Sequence, residues 1–260
     1  MKKLWIMCLG AGLGLASLTA QASITLDWND QPQGTLSRTN QNTYQGSFTA
    51  SDGGAVDATV QLSGNVTAFR SGPTHLQTPA VTNTIFDGGL PSGNSNLAIV
   101  ANFNRPGVSA TPGTVEVTLD FAGYKQGVKN VTFDLFDVDA RDRANFVDQI
   151  QFITPGVALT AGADNTVTGS TVTGTGPSPN HGPDSGAGNV RVAYGYLPLH
   201  QIVFDFTSPT PNRALHGFAI SNLSFAPVPE ASQLAIGLAA CAFGALWLRK
   251  ADQRRTAGIA

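Results

Sequence analysis

The sequence predicts an all-β protein, a single jelly-roll-like β-sandwich ectodomain between an N-terminal signal peptide and a C-terminal transmembrane sorting helix. Three observations carry that prediction. Apolar and polar residues alternate with period two in one segment after another. No long stretch repeats with a helical period, and breaks rich in Gly, Pro and Asn separate the alternating segments.

At the front, Lys2 and Lys3 precede an apolar run from Leu4 to Leu18, and Ala20-Gln21-Ala22 forms a small-x-small cleavage site. Residues 1–22 therefore read as a secretory signal peptide removed by signal peptidase, with the mature chain beginning at Ser23. Strands are predicted at Ile24 to Trp28, Val56 to Val66, Leu97 to Phe103, Val115 to Phe121 and Val131 to Leu135. Further strands fit Phe146 to Ile153, Val190 to Tyr196, Ile202 to Phe206 and Phe218 to Phe225. The clearest alternation sets Val115, Val117, Leu119 and Phe121 against Glu116, Thr118 and Asp120. Asp87-Gly88-Gly89 and Pro106-Gly107 are turn signals, and Arg70 to Gly93 and Thr173 to Gly188 read as loops. Many short strands without intervening helices predict two packed sheets, and no internal boundary divides residues 23–226.

The tail follows directly. Pro227-Val228-Pro229-Glu230 leads into a stretch, residues 231–248, that is apolar from Leu234 onward, and then into Arg249, Lys250, Arg254 and Arg255. Eighteen helical residues span about 27 Å, close to the roughly 30 Å of a bilayer core. The basic cluster would stay cytoplasmic and leave everything before the tail outside. This order of parts, with Val228-Pro229-Glu230-Ala231 as the motif, resembles the PEP-CTERM sorting signal of Gram-negative exopolysaccharide-producing bacteria, Ala231 standing where the family has a second proline. The resemblance covers about the last thirty residues of the chain. It implies that Val228, Pro229, Glu230, Arg254 and Arg255 belong to a signal read by an exosortase-type enzyme. It also implies delivery of the ectodomain to the cell surface or extracellular matrix, with exopolysaccharide as a partner.

Cys8 lies in the signal peptide and Cys241 in the tail, so the ectodomain has no disulfide, thiol nucleophile or cysteine metal ligand. The whole chain carries −2, but Ser23 to Glu230 holds nine basic against sixteen acidic residues, a net of −7. An acidic ectodomain offers no footprint for nucleic acid.

Chemistry concentrates between Val131 and Ile153. If Val131, Phe133 and Leu135 face the core, strict alternation sends Asp137 and Asp139 to the same face. Asp148 shares parity with Phe146, Ile150 and Phe152 on the next predicted strand. Three buried carboxylates require neutralisation. Calcium, a hard ion bound by oxygen ligands, is one solution. Pairing with Arg141 and Arg143 is a second, and a strand that ends at Phe136 with the aspartates capping a wet turn is a third. The segment also resembles the strand-Asp-x-Asp-loop-Asp-strand pattern of secreted bacterial β-sandwich modules, some of which bind calcium or carbohydrate.

Enzyme motifs are missing: there is no Gly-x-Ser-x-Gly and no His-Glu-x-x-His. Asp137 with Asp148 is the one pair a glycan hydrolase could use. His75, His181, His200 and His216 are dispersed and read as loop or surface residues. For carbohydrate, Trp28, Tyr194 and Tyr196 are the candidate stacking platforms, with Tyr44 and Tyr124 behind them. Thr166, Thr168, Thr171 and Thr173 form one short threonine ladder that an ice-binding face could use. The reading that results is a non-enzymatic exported module, with carbohydrate binding as the alternative.

Overall fold

The computed structural model describes residues 22–70, 76–84, 86–91, 93–103, 113–141, 146–175, 184–209, 214–230, 243–247 and 249. In chain order the strands are β1 (Ile24–Leu26), β2 (Gly34–Thr35), β3 (Ser37–Asn40), β4 (Thr43–Thr49), β5 (Ala55–Ser63), β6 (Val66–Phe69) and β7 (Ala80–Thr82). They continue with β8 (Asn96–Phe103), β9 (Thr114–Asp120), β10 (Val128–Phe136), β11 (Ala140–Arg141), β12 (Phe146–Val147), β13 (Gln149–Phe152) and β14 (Val157–Ala161). The last six are β15 (Asn165–Thr168), β16 (Thr171–Gly174), β17 (Val190–Tyr194), β18 (Gln201–Thr207), β19 (Ala214–Ile220) and β20 (Leu223–Pro227). The all-β class and the two antiparallel sheets expected from the alternation are what the chain forms.

One sheet has eight strands in the order β15-β16-β13-β18-β9-β5-β4-β3. Its inner positions follow the period of two: Val115, Val117 and Leu119 on β9 and Ile202, Phe204 and Phe206 on β18 are buried, while Glu116 and Asp120 between them are exposed. The other sheet has ten strands and is built around β10. β17 lies on one side of β10. On the other side β20 and β19 run end to end, with Val128↔Pro227 at one extreme and Leu135↔Ile220 at the other. β1 pairs with β20, and β8 pairs with β19. The inner faces share one core in which Phe133, Phe152, Phe204, Phe206 and Phe218 interdigitate, with Phe204 and Phe206 both packing on Phe218.

Three sequence expectations change in detail. The predicted strand from Ile24 ends at Leu26, because Asp27 caps a 3-10 turn, Trp28–Asp30, by accepting the Asn29 N–H at 2.9 Å. That turn sends the Trp28 ring inward, where its Nε1 donates to the Ser221 carbonyl at 2.8 Å. Asn222 accepts the Trp28 N–H, and these two contacts separate β19 from β20 inside the predicted Phe218 to Phe225 strand. The region read as a loop, Arg70 to Gly93, contains β7, whose three residues are all buried against β8. Phe86 from the same region covers Phe136, Ala98, Val100 and Ala219 on the outer face of the ten-stranded sheet.

No helix among the described residues is long and apolar enough to cross a membrane. The predicted signal peptide lies outside the described residues except Ala22, and so do residues 231–242 and 248 of the predicted sorting helix, with Arg254 and Arg255. Residues 243–247 are helical, and Phe243, Leu246 and Trp247 are exposed.

Candidate functional site

The aspartates gather where β10 ends. Asp137 adopts a left-handed backbone with φ 63°, a conformation that Asp tolerates better than most residues. One such residue shifts the parity that follows it. Val138, rather than Asp137, enters the inner core, and Val138 N–H donates to the Gly188 carbonyl at 3.0 Å. The strict alternation expected through Asp137 and Asp139 is therefore corrected: the strand stops at Phe136. Asp139 and Asp148 are nevertheless buried, and Asp137 is partly so.

Asp148 is the hub. It interrupts the predicted Phe146 to Ile153 strand between β12 and β13, and the two-stranded ribbon of β11 and β12 folds it back on Asp139. Its N–H donates to the Asp139 carbonyl at 2.9 Å, and its carbonyl accepts the Gly174 N–H at 2.8 Å. Its Oδ2 accepts the Asp139 N–H at 3.5 Å, the outer limit of a hydrogen bond. A side chain on Gly174 would run into the Asp139 backbone, so only glycine closes this corner.

The partner of Asp148 is one the sequence reading placed at the surface. His216, on β19 of the opposite sheet, is 2% exposed, and its Nδ1 lies 2.8 Å from Asp148 Oδ1. Phe103 and Phe146 present their rings edge-on to the imidazole at 5.1 Å each, and Phe206 packs at 6.4 Å. Parity could have found it: His216 alternates with Phe218 and Ile220, both completely buried.

Electrostatics at this end disfavour charge. Burial, with added repulsion from Asp139, Asp148 and Asp184, pushes the Asp137 carboxyl up to about 9. Burial also raises Asp148, opposed in part by its bond to His216. Arg143 and the side chain of Arg141 lie outside the described residues. Among the described residues, no group of three or more His, Cys, Asp or Glu side chains is placed to hold one metal ion.

Most of the aromatic candidates are core residues. Trp28 is completely buried, edge-on to Phe48 at 4.9 Å, and cannot serve as a stacking platform. Tyr194 is 3% exposed beside Phe152, and its hydroxyl donates to the Thr154 carbonyl. Tyr124 sits against Phe225, with its hydroxyl on Asp52 Oδ1 at 2.7 Å. Tyr44 packs on Phe69. Tyr196 differs from all of them at 83% exposed. The threonines at 166, 168, 171 and 173 occupy the paired strands β15 and β16, in which Thr166 stands opposite Thr173 and Thr168 opposite Thr171.

The segment expected to carry the sorting motif leaves from the other end of β10. β20 finishes at Pro227, Val228 N–H donates to the Gly127 carbonyl at 2.9 Å, and Pro229 and Glu230 follow. Ile24 pairs with Phe225 and the Ser23 and Ser224 hydroxyls lie 2.6 Å apart, so the first strand lies along the strand that ends at Pro227.

Comparison with known proteins adds little. No family model matches the chain, and no curated protein matches it. Among solved structures, the N-terminal domain of the Streptococcus gordonii adhesin Sgo0707 aligns at 10% identity and a TM-score of 0.35, covering 74% of this chain and 50% of that one.

Proposed function

We propose that this chain is an exported, non-enzymatic β-sandwich module of jelly-roll type, sorted to the cell surface or extracellular matrix through a PEP-CTERM-like tail. Signal peptidase would release Ser23, the helix 231–248 would hold the chain in the inner membrane, and an exosortase-type enzyme would act at the Val228-Pro229-Glu230 motif. The observation that carries this reading is where the fold closes. The strand that opens the sandwich starts at Ile24, one residue after the predicted mature terminus, and pairs with the strand that ends at Pro227, immediately before the motif. Among the described residues, the buried core runs from Ile24 to Ala226 and so falls between the two proposed processing points.

The test is expression in a host that carries an exosortase, with fractionation and intact-mass measurement. The native chain should be released from the membrane with a mass ending near Glu230. Pro229→Ala with Glu230→Ala should leave it membrane-bound at its full mature length. Release of the double variant with an unchanged mass would overturn the reading.

Calcium is a second reading, favoured by the burial that raises both Asp137 and Asp148 and by the neighbouring acids that raise Asp137 further. A bound divalent ion would relieve both effects, though binding would have to draw Asp137, Asp139 and Asp148 together. Saturation at a hundred times Kd would stabilise the fold by about 2.7 kcal/mol, a gain that a melting curve taken with calcium and again with EDTA would register. A rise that disappears in Asp137→Ala supports the ion, and superimposable curves dismiss it. Exopolysaccharide as a ligand finds support in Tyr196 alone of the three aromatics proposed for it.

A further inference from the structure

We infer that the end of the sandwich from which the tail departs is itself a membrane-contacting surface, with the Tyr196-Leu197 tip seated in the phospholipid headgroup layer. This rests on the tail being a membrane helix.

The tip connects β17 to β18 and crosses from one sheet to the other beside the start of β10. Asn130 N–H donates to the Gly195 carbonyl, and Val128 exchanges both backbone hydrogen bonds with Leu199. Gly195 and Leu199 are thus held against Asn130 and Val128, and residues 196–198 bulge between those two points beside Lys129. On the other flank of β10, Val128 faces Pro227 and Lys129 faces Ala226. One strand end therefore separates the tip from the point where the chain leaves for the tail. With Glu230 as the last described residue before the tail, three residues lie between β20 and the predicted helix at 231, leaving almost no spacer to hold this end away from a bilayer.

The chemistry matches the location. Tyr196 is 83% exposed, Leu197 76% and Ile153 52%. Ile153 belongs to the same end, since its N–H donates to the Val203 carbonyl and the neighbouring Thr154 carbonyl accepts the Tyr194 hydroxyl. Exposed large apolar side chains are costly in water, but an amphipathic tyrosine beside leucine suits the interface between headgroups and acyl chains. The ectodomain has only two lysines, Lys125 and Lys129, and both lie in the segment that enters β10 at this end. Their ammonium groups would meet lipid phosphates. Acidic residues also occur here, on the side of the eight-stranded sheet: Asp120 is exposed and Asp52 is engaged by Tyr124.

The test uses the full chain, with Cys8 and Cys241 changed to Ser, reconstituted into vesicles containing anionic phospholipid. Single cysteines at Pro198, beside the tip, at Gln41, on an exposed turn near the opposite end, and at Trp247 in the tail carry a fluorophore. Lipids spin-labelled at the headgroup then report contact. Quenching at 198 and 247 with none at 41 is expected, and Tyr196→Ser with Leu197→Ser should abolish it at 198 while sparing 247. Quenching at 247 but not at 198 overturns the tip contact and leaves the membrane tail standing. Quenching at neither position overturns both. Equal quenching at 198 and 41 means non-specific adsorption and also defeats the proposal.

Discussion

The two ends of β10 are chemical opposites. The strand begins with Val128 and Lys129, near the exposed Tyr196 and both ends of the described sandwich, and it ends at Phe136, where Asp139, Asp148 and Asp184 all repel Asp137. Eight steps of about 3.3 Å put the two ends about 26 Å apart. At the first end Tyr196 and Leu197 are the most exposed large apolar side chains among the described residues, and at the second acids are buried, with Leu90 and Leu215 exposed nearby. Each arrangement is unfavourable for an isolated domain in water. The lesson is that a sandwich core can leave its two rims free to specialise, because neither rim is needed to fill the centre.

Substitutions can break that contrast. The largest effect should come from His216→Ala. It leaves the Asp148 carboxylate buried without its inter-sheet partner, at a cost of about 3–5 kcal/mol in denaturant unfolding. His216→Phe combined with Asp148→Leu should recover most of that loss, since the surrounding rings accept an apolar neighbour. A single-variant cost below about 1 kcal/mol would mean that the acidic rim is not locked by this pair.

Asp137→Asn acts in the opposite direction. Its carboxyl has a pKa of 3.8 when free and about 9 in the fold, so the folded state binds the extra proton between those values. The stability it contributes is fully present below about pH 4 and is lost as pH rises towards 9. Asn imitates the protonated acid, so the variant in EDTA should melt higher at pH 8, by about 2–4 °C for each kcal/mol gained. It should also depend less steeply on pH, and an unchanged slope would remove Asp137 from the buried set. The smallest effect belongs to Arg191→Ala on the outer face. Its guanidinium reaches both oxygens of Asp134 at 3.1 and 3.2 Å, but half of its side chain is exposed. Loss of about 0.2–1 kcal/mol is expected, shrinking further in high salt.

Much of the sandwich was legible because alternation is a direct imprint of a two-faced sheet. β9, β10, β17 and β18 fall where the period of two placed them; β8 was also expected but is buried on both faces, and the strand expected from Val56 to Val66 breaks at Gly64 between β5 and β6. The errors occur where one residue defeats parity. Asp137 resets the phase through its own backbone, and no count of apolar residues reveals a left-handed φ. Trp28 looked like a solitary aromatic among polar neighbours, Asp27, Asn29 and Asp30, yet those neighbours build the turn that buries it. Asp148 was placed correctly by parity. Its partner His216 was overlooked because a histidine was judged by type instead of by its phase relative to Phe218. β7 escaped notice because three residues carry no period.

The pairing of β1 with β20 also bears on when this protein can fold. Ser23 and Ser224 touch across a sequence separation of 201 residues, and Ile24 has its ladder partner on β20, the last of the described strands. If the nascent chain is exported in extended form, as proposed above, it could assemble inner hairpins early. It could not seal this edge until nearly the whole ectodomain had passed through. Contacts of such long range are slow to form, so completion of the sandwich and arrival of the tail at the channel would be nearly simultaneous. The exit of the last strand would then act as the clock that decides when the domain becomes resistant to proteolysis.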